Sequence, residues 1–281
     1  MKKKHPEPVK AYKNLDFLNS PDARTIRILA EFLEPMKRFR EQNIYDTLVF
    51  FGSARTVNPQ TAKEQLHNVQ KRIAESGEKN PGPALQAELD YAKNQVFLSR
   101  YYEDATGLAK RLTEWSKSLN SIHRFVVCSG GGPGMMEAAN KGALEANGKS
   151  IGLNISLPME QFSNPYITPD LNFEFHYFFM RKFWLIYLAK GLIIFPGGFG
   201  TLDELFETLT LVQTQKVIKK MPIVIYGSEY WNQIINIDAM VNYGVISKAD
   251  RDLVQFCDTV DEAFSYIKDE LTRIHLDKER N

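Results

Sequence analysis

Residues 195–204 read Phe-Pro-Gly-Gly-Phe-Gly-Thr-Leu-Asp-Glu, directly after the apolar run Gly191-Leu-Ile-Ile. A buried strand over Leu192–Phe195 would stop at Pro196, turn through Gly197, Gly198 and Gly200, and restart as a helix at Thr201. Glycine has no Cβ, so the chain can bend tightly there and bring backbone N–H groups within reach of a ligand. The helix that follows points its unpaired N–H groups and positive dipole end at the same spot. Together these make a cradle for an anion, and a phosphate suits it. Glu204 then puts a carboxylate one helical turn inside the cradle, where phosphate binding alone would not want a negative charge. That mismatch points to chemistry beyond holding a phosphate. A plainer reading stands beside it: Thr201-x-x-Glu204 is also a capping box, each side chain bonding the other's backbone N–H. Asp203 reads as a first-turn acid that complements the dipole.

A second glycine turn, Ser129-Gly-Gly-Gly-Pro-Gly134, follows the apolar run Arg124–Cys128. So many glycines exceed what a tight turn needs, which favours cradling of a phosphate or sugar over a simple strand-to-helix connection. The stretch is not the dinucleotide fingerprint G-x-G-x-x-G, and it lacks the Gly-Lys-Ser/Thr of a Walker A loop. A mononucleotide-type ligand fits better. Arg181 and Lys182 lie early in their helix, where the dipole disfavours cations. They form either a solvated basic face or, for Arg181, a group that swings toward an anion. Arg55, just after the first strand, stands where a similar phosphate contact can form. His176 reads as structural. The aromatic run Phe178, Phe179, Phe183, Trp184 and Tyr187 reads as core or subunit interface, part of it available as an apolar wall for a purine. No Cys/His cluster has zinc spacing, so no metal ligand set is expected; no cofactor is expected either.

Positioning these groups requires strands that alternate with helices. The first helix is expected over Pro21–Arg40, with Ser20 as N-cap and one apolar stripe of Ile26, Leu29, Leu33 and Met36. A strand over Thr47–Phe51 ends in Gly52-Ser53-Ala54-Arg55. Residues 56–98 are polar and charged, broken at Asn80-Pro-Gly-Pro83, and read as an inserted helical hairpin. The main fold resumes with helix Tyr101–Ser118, strand Arg124–Cys128, helix Met135–Ala146 and strand Ile151–Ile155. Then come strand Phe173–Phe175, helix Met180–Ala189, strand Leu192–Phe195, helix Leu202–Gln213 and strand Pro222–Tyr226. A helix Trp231–Val241, a strand Val254–Cys257 and a helix Asp261–Ile274 complete the pattern. Such alternation implies right-handed crossovers and a parallel sheet. The expected fold is α/β: a Rossmann-like doubly wound, mainly parallel sheet with helices on both faces, plus the N-terminal helix and the inserted hairpin. Residues 1–46 are expected to form a tail and a helix packing on the core, and 47–281 a single nucleotide-binding domain. Ligands bind such sheets at the carboxyl ends of the strands, near a switch in strand order. All three glycine-bearing turns fall at such ends.

At 281 residues, with 43% hydrophobic and 25% charged residues, the chain suffices for a sizeable core. A net charge of +1 gives no reason to expect nucleic acid or an anionic membrane as partner. Lys2-Lys3-Lys4 reads as a solvated tail without the apolar stretch of a secretory signal, and no run of about 18 apolar residues offers a membrane span. Cys128 and Cys257 lie in apolar, strand-like runs and read as buried free thiols. A cytoplasmic location is expected.

Gly130-Gly-Gly-Pro-Gly-Met-Met-Glu-Ala-Ala-Asn140, Met180-Arg-Lys182 and Pro196-Gly-Gly-Phe-Gly-Thr-Leu-Asp-Glu204 resemble the LOG ("Lonely Guy") family. Its members are phosphoribohydrolases of cytokinin nucleotides, often also of AMP, long mislabelled as lysine decarboxylases. The resemblance runs over roughly residues 47–227. It implies Arg181 and Glu204 as catalytic residues, and the turn at Gly197, Gly198, Gly200 and Thr201 as the holder of a 5′-phosphate. Ser53, Arg55, Gly131, Gly132, Met135 and Lys182 complete the expected substrate-binding set. Many short members read Met-His-x-Arg-Lys, whereas Phe178-Phe179-Met180 precede Arg181 here, a departure that bears on contacts to the base. The N-terminal helix and the 56–98 insertion lie outside the short-member pattern and resemble a longer bacterial subgroup. The resemblance implies hydrolysis of the N-glycosidic bond of AMP or an N6-modified AMP, and a homodimer or higher assembly. A carrier that holds a nucleotide or nucleotide-like cofactor without cleaving it is the competing reading.

Overall fold

Short apolar runs become strands of one parallel sheet in the computed structural model, which describes residues 8–76, 81–119, 125–158 and 162–276. The strands are β1 (Asp46–Phe51), β2 (Phe125–Ser129), β3 (Ser150–Ile155), β4 (Asn172–Phe175), β5 (Ala189–Ile194), β6 (Ile223–Tyr226) and β7 (Gln255–Cys257). Their order across the seven-stranded sheet is β4-β3-β2-β1-β5-β6-β7. The chain therefore starts in the middle, winds outward to β4, then returns to β1 and winds the other way. All pairings are parallel. The direction reverses between β1 and β5, where helices leave toward opposite faces and open a crevice at the carboxyl ends. This is the Rossmann-like α/β fold.

The helices are α1 (Leu15–Asn19), α2 (Arg24–Glu41), α3 (Pro59–Ser76), α4 (Pro83–Ser118), α5 (Met135–Glu145), α6 (Phe178–Tyr187), α7 (Phe199–Gln213), α8 (Ser228–Ile234), α9 (Ile237–Asn242), α10 (Lys248–Arg251) and α11 (Val260–Leu271). Side chains of a strand alternate between faces, and the core divides accordingly. Val49, Phe51, Leu192 and Ile194 face one layer with Trp184, Leu205 and Trp231 of α6, α7 and α8. Leu48, Phe50, Ile193 and Phe195 face the other, against Leu108 and Leu112 of α4, Ala138 of α5 and Ile267 of α11. Strands covered on both faces read as continuous apolar runs, which is why their pattern was plain in sequence.

Three elements differ from the sequence reading, one of them the helix expected over Trp231–Val241, which is two helices, α8 and α9. The second arm of the hairpin and the helix expected from Tyr101 are one continuous 36-residue helix, α4, about 54 Å long at 1.5 Å per residue. Its first half packs on α3 and is largely exposed, while its second half carries most of the buried residues, from Tyr101 to Ser116. The polar composition over 56–98 thus reflects distance from the sheet, not a break in the helix. Asn80 of the expected break, Arg124 of the expected strand and the Lys2–Lys4 tail lie outside the described residues.

In α2 the expected stripe, except for Met36, points the wrong way. Ile26, Leu29 and Leu33 are about half exposed, whereas Ile28, Phe32, Met36 and Phe39 meet the core. Pro35 accounts for part of this docking. Having no N–H, it leaves the carbonyl of Glu31 without its helical donor, and the indole Nε1 of Trp184 donates to that oxygen at 2.9 Å. The Glu31 carboxylate in turn accepts from the backbone N–H groups of His176 and Tyr177, at 2.8 and 3.2 Å. The N-terminal helix thereby fixes the entry to α6, which carries Arg181. His176 acts here through its backbone.

Candidate active site

The crevice between β1 and β5 is built from two turns bonded to each other. Phe195 N–H donates to Phe51 O at 2.8 Å, and Ser53 N–H donates to Pro196 O at 3.0 Å. The third turn joins through Met135 N–H, which donates to Ser53 O at 3.0 Å. Such close approach needs missing side chains. A Cβ on Gly134, where φ is +71°, would stand 2.3 Å from Ser53 O, and one on Gly197 would stand 2.1 Å from Thr201 Oγ1.

Helix α7 begins at Phe199 with Gly198 as its N-cap, and no side chain caps it. The capping-box reading of Thr201 and Glu204 is therefore not realised. Thr201 already lies in the first turn, its hydroxyl packed against Gly197. The helical ladder starts with Leu202 N–H donating to Gly198 O at 3.0 Å, so the amides just before it have no helical partner. Around Gly198 and Gly200 there is open space: an added Cβ meets nothing within 4 Å. Glycine at these positions is not required by the protein's own packing. The phenol of Tyr230, on α8, donates to Gly197 O at 2.9 Å and ties the turn from behind.

A cleft of about 740 Å³ opens over this turn. Of the expected site residues it is lined by Ser53, Arg55, Arg181, Gly197, Gly198, Gly200, Thr201 and Glu204. Its walls also include Ile155, Leu157, Phe178 and Met136, with Tyr230 and Ile234 on the β6 side. Glu204 is 6% exposed, and its Oε2 has no hydrogen-bond partner. Burial pushes its carboxyl up to about 7; Lys182 and Arg181 oppose the shift, while Glu207 and Asp203 add to it. Arg181 Nε donates to Leu153 O at 2.7 Å, which lays the guanidinium across Gly130. A Cβ there would stand 2.3 Å from Arg181 Nη2. Burial lowers the basicity of Arg181 and the neighbouring Glu204 raises it; a guanidinium stays charged regardless.

Gly131, Gly132, Met135 and Lys182 do not line the cleft. Gly131 (φ +78°) sits against Asn154, and its N–H donates to Ser129 Oγ at 3.1 Å. Asn164 Nδ2 donates to Gly131 O, Gly132 O and Asn140 Oδ1 at 3.0, 3.1 and 2.9 Å. This buried network holds the second glycine turn as scaffold. Met135 is buried, packed beneath Gly52; its neighbour Met136 reaches the cleft instead. Lys182 Nζ pairs with Asp203 and Glu207, each at 2.7 Å. Met136 and Tyr230 were missed in sequence, although both follow a strand's carboxyl end, the signal that marked the other turns.

Residues 136–267 match the profile of a family described as "Possible lysine decarboxylase". The chain is 30% identical over 120 residues to the pyrimidine/purine nucleotide 5′-monophosphate nucleosidase of Escherichia coli K12, covering 38% of this chain and 25% of that protein. The same identity and coverage hold for the nucleosidase of Escherichia coli O157:H7. The match thus spans a quarter of the length of these relatives. Among solved structures, the molybdenum cofactor binding protein of Rippkaea orientalis superposes with a TM-score of 0.42 at 20% identity, over 60% of this chain and 89% of that one. The molybdenum cofactor carrier protein of Chlamydomonas reinhardtii gives 0.43 at 19% identity, over 81% and 99%. Residues 136–267, which carry the Pro196–Glu204 turn and Arg181, are thus similar to the family described as possible lysine decarboxylase, the LOG family.

Proposed function

We propose that the chain hydrolyses the N-glycosidic bond of a nucleoside 5′-monophosphate, releasing a free base and ribose 5-phosphate. The observation that carries this reading is Glu204: a buried carboxylate with an unpartnered oxygen, lining a cleft whose glycine turn leaves open room. Breaking an N-glycosidic bond builds positive charge on the ribose, an oxocarbenium-like transition state. A carboxylate beside the ribose stabilises that charge and accepts hydrogen bonds from its hydroxyls. The free amides at the start of α7, with Ser53 and Arg55, bind the 5′-phosphate. This remote binding energy fixes C1′ for attack by water. Arg181 orients the ribose–base end or helps the departing base carry electrons. The apolar wall of Ile155, Leu157 and Phe178 receives the base of AMP or an N6-modified AMP.

The nucleosidases that match part of this chain support the substrate class. Lysine decarboxylation does not fit the cleft. That chemistry relies on pyridoxal phosphate held as a lysine Schiff base, and among the described residues lining the cleft there are Arg55 and Arg181 but no lysine. The half-exposed Phe178, Phe179 and Tyr187 of α6 support a homodimer whose interface borders the site. A cytoplasmic enzyme accords with this small-molecule role; among the described residues no helix is long and apolar enough to cross a membrane.

The test is incubation with a panel of nucleoside monophosphates, followed by chromatography for free base. Base release that is lost in Glu204→Gln and Arg181→Ala supports the reading. Tight nucleotide binding without base release makes the chain a carrier instead.

A further inference from the structure

Lys182 lies outside the cleft yet beside its catalytic machinery. It follows Arg181 on α6, and its ammonium reaches across to α7, where Asp203 Oδ2 and Glu207 Oε2 each lie 2.7 Å away. Those two acids flank Glu204 on the same helix, one residue before and one turn after. Its side chain is only 16% exposed, while those of Asp203 and Glu207 are 60% and 36% exposed. Two helices whose first residues, Phe178 and Phe199, both line the cleft are thus joined beside Glu204. In addition, the charged groups facing Glu204 are Arg181 and Lys182 from α6, and Asp203 and Glu207 from its own helix.

We propose that Lys182 is a positioning residue that clamps the arginine-bearing helix to the glutamate-bearing helix and offsets the two acids beside Glu204, so that Glu204 is ionised when substrate arrives. The kinetic part of this inference rests on the nucleotide-hydrolase reading; the electrostatic part does not. Without the ammonium, only Arg181 offsets Asp203 and Glu207 at Glu204, and its carboxyl holds its proton to higher pH. Of the cations facing it, Lys182 opposes protonation the most. Substrate contact is not involved, because the side chain is turned away from the cleft.

The experiment compares wild type, Lys182→Met and Lys182→Arg in two readouts. In the first, kcat and KM for AMP are followed from pH 5 to 9. Lys182→Met is expected to move the acidic limb of the kcat profile upward by about half a pH unit or more, lowering kcat several-fold at pH 7 with KM within about twofold. Lys182→Arg is expected to restore the profile. In the second, the carboxyl carbon of Glu204, assigned through Glu204→Gln, is titrated by 13C NMR without substrate. An upward shift of its midpoint in Lys182→Met, returned by Lys182→Arg, supports the clamp even if no nucleotide is cleaved. In that case the hydrolase reading fails and the clamp stands. An unmoved midpoint overturns the clamp, whatever the activity. A raised KM with an unmoved limb also overturns it and makes Lys182 a substrate ligand. Asp203 and Glu207 remain solvated in the variants, so the fold tolerates the change.

Discussion

Replacing Glu204 by glutamine should slow turnover steeply and stabilise the protein, and the stabilisation should depend on pH. Burial raises the carboxyl from its ordinary 4.5 to about 7. The folded protein therefore holds this proton more tightly than the unfolded chain, and ionising it costs the fold. The penalty is absent below the unfolded value of 4.5, grows as pH rises toward 7, and is complete above it. A shift of that size amounts to on the order of 3 kcal/mol, with little relief from solvent at a side chain only 6% exposed. Glutamine carries no charge, so its own burial cost does not change with pH. In phosphate-free buffer without ligand, Glu204→Gln should gain on wild type by roughly 5–10 °C in Tm between pH 5 and pH 8. Over the same range kcat should fall by roughly 10²-fold or more, the usual cost of a lost electrostatic stabiliser. Scanning calorimetry at four pH values with a base-release assay measures both. A Tm difference that is the same at pH 5 and pH 8 would refute the claim that Glu204 is kept ionised against its surroundings.

Gly197→Ala should raise the KM for nucleotide about tenfold or more by steady-state kinetics, because its Cβ would stand 2.1 Å from Thr201 Oγ1 and 3.0 Å from Ser53 N. Gly200→Ala should do the reverse to the fold: it lies inside α7 with nothing within 4 Å of the added carbon. Urea melts should show a gain of about 0.5–1 kcal/mol, while calorimetric titration shows weaker nucleotide binding; unchanged affinity would place the phosphate elsewhere. Asn164→Ala removes the donor shared by Gly131 O, Gly132 O and Asn140 Oδ1. It should lower stability in urea by about 1–3 kcal/mol, chiefly the cost of leaving Gly132 O without this donor, since Gly131 O keeps the backbone N–H of residue 164 and Asn140 Oδ1 keeps the Ser129 hydroxyl.

The parallel sheet was legible because its strands are covered on both faces and announce themselves as unbroken apolar runs. The meeting of Ser53 with Pro196 was not, since it depends on β1 lying beside β5, and strand order leaves no mark on local composition. The Thr-x-x-Glu pattern at 201–204 fits a helix start in spacing, but the helix opens two residues earlier at Phe199. That leaves Glu204 to be judged by its surroundings. Four glycines between 130 and 134 suggested a second cradle; the donors that convert the turn into scaffold, Asn164 above all, come from a loop far along the chain. In α2 the stripe through Ile26 was as regular as the one through Ile28. A helix with two apolar faces does not say which one meets the sheet.

The guanidinium of Arg181 fills the place where any side chain at position 130 would have to stand. A side chain at position 130 would therefore displace the guanidinium, and the Met136 sulfur beside it, from their present places. Whoever transplants the arginine into a related scaffold must vacate the facing turn as well, or the newcomer will be shouldered out of the crevice.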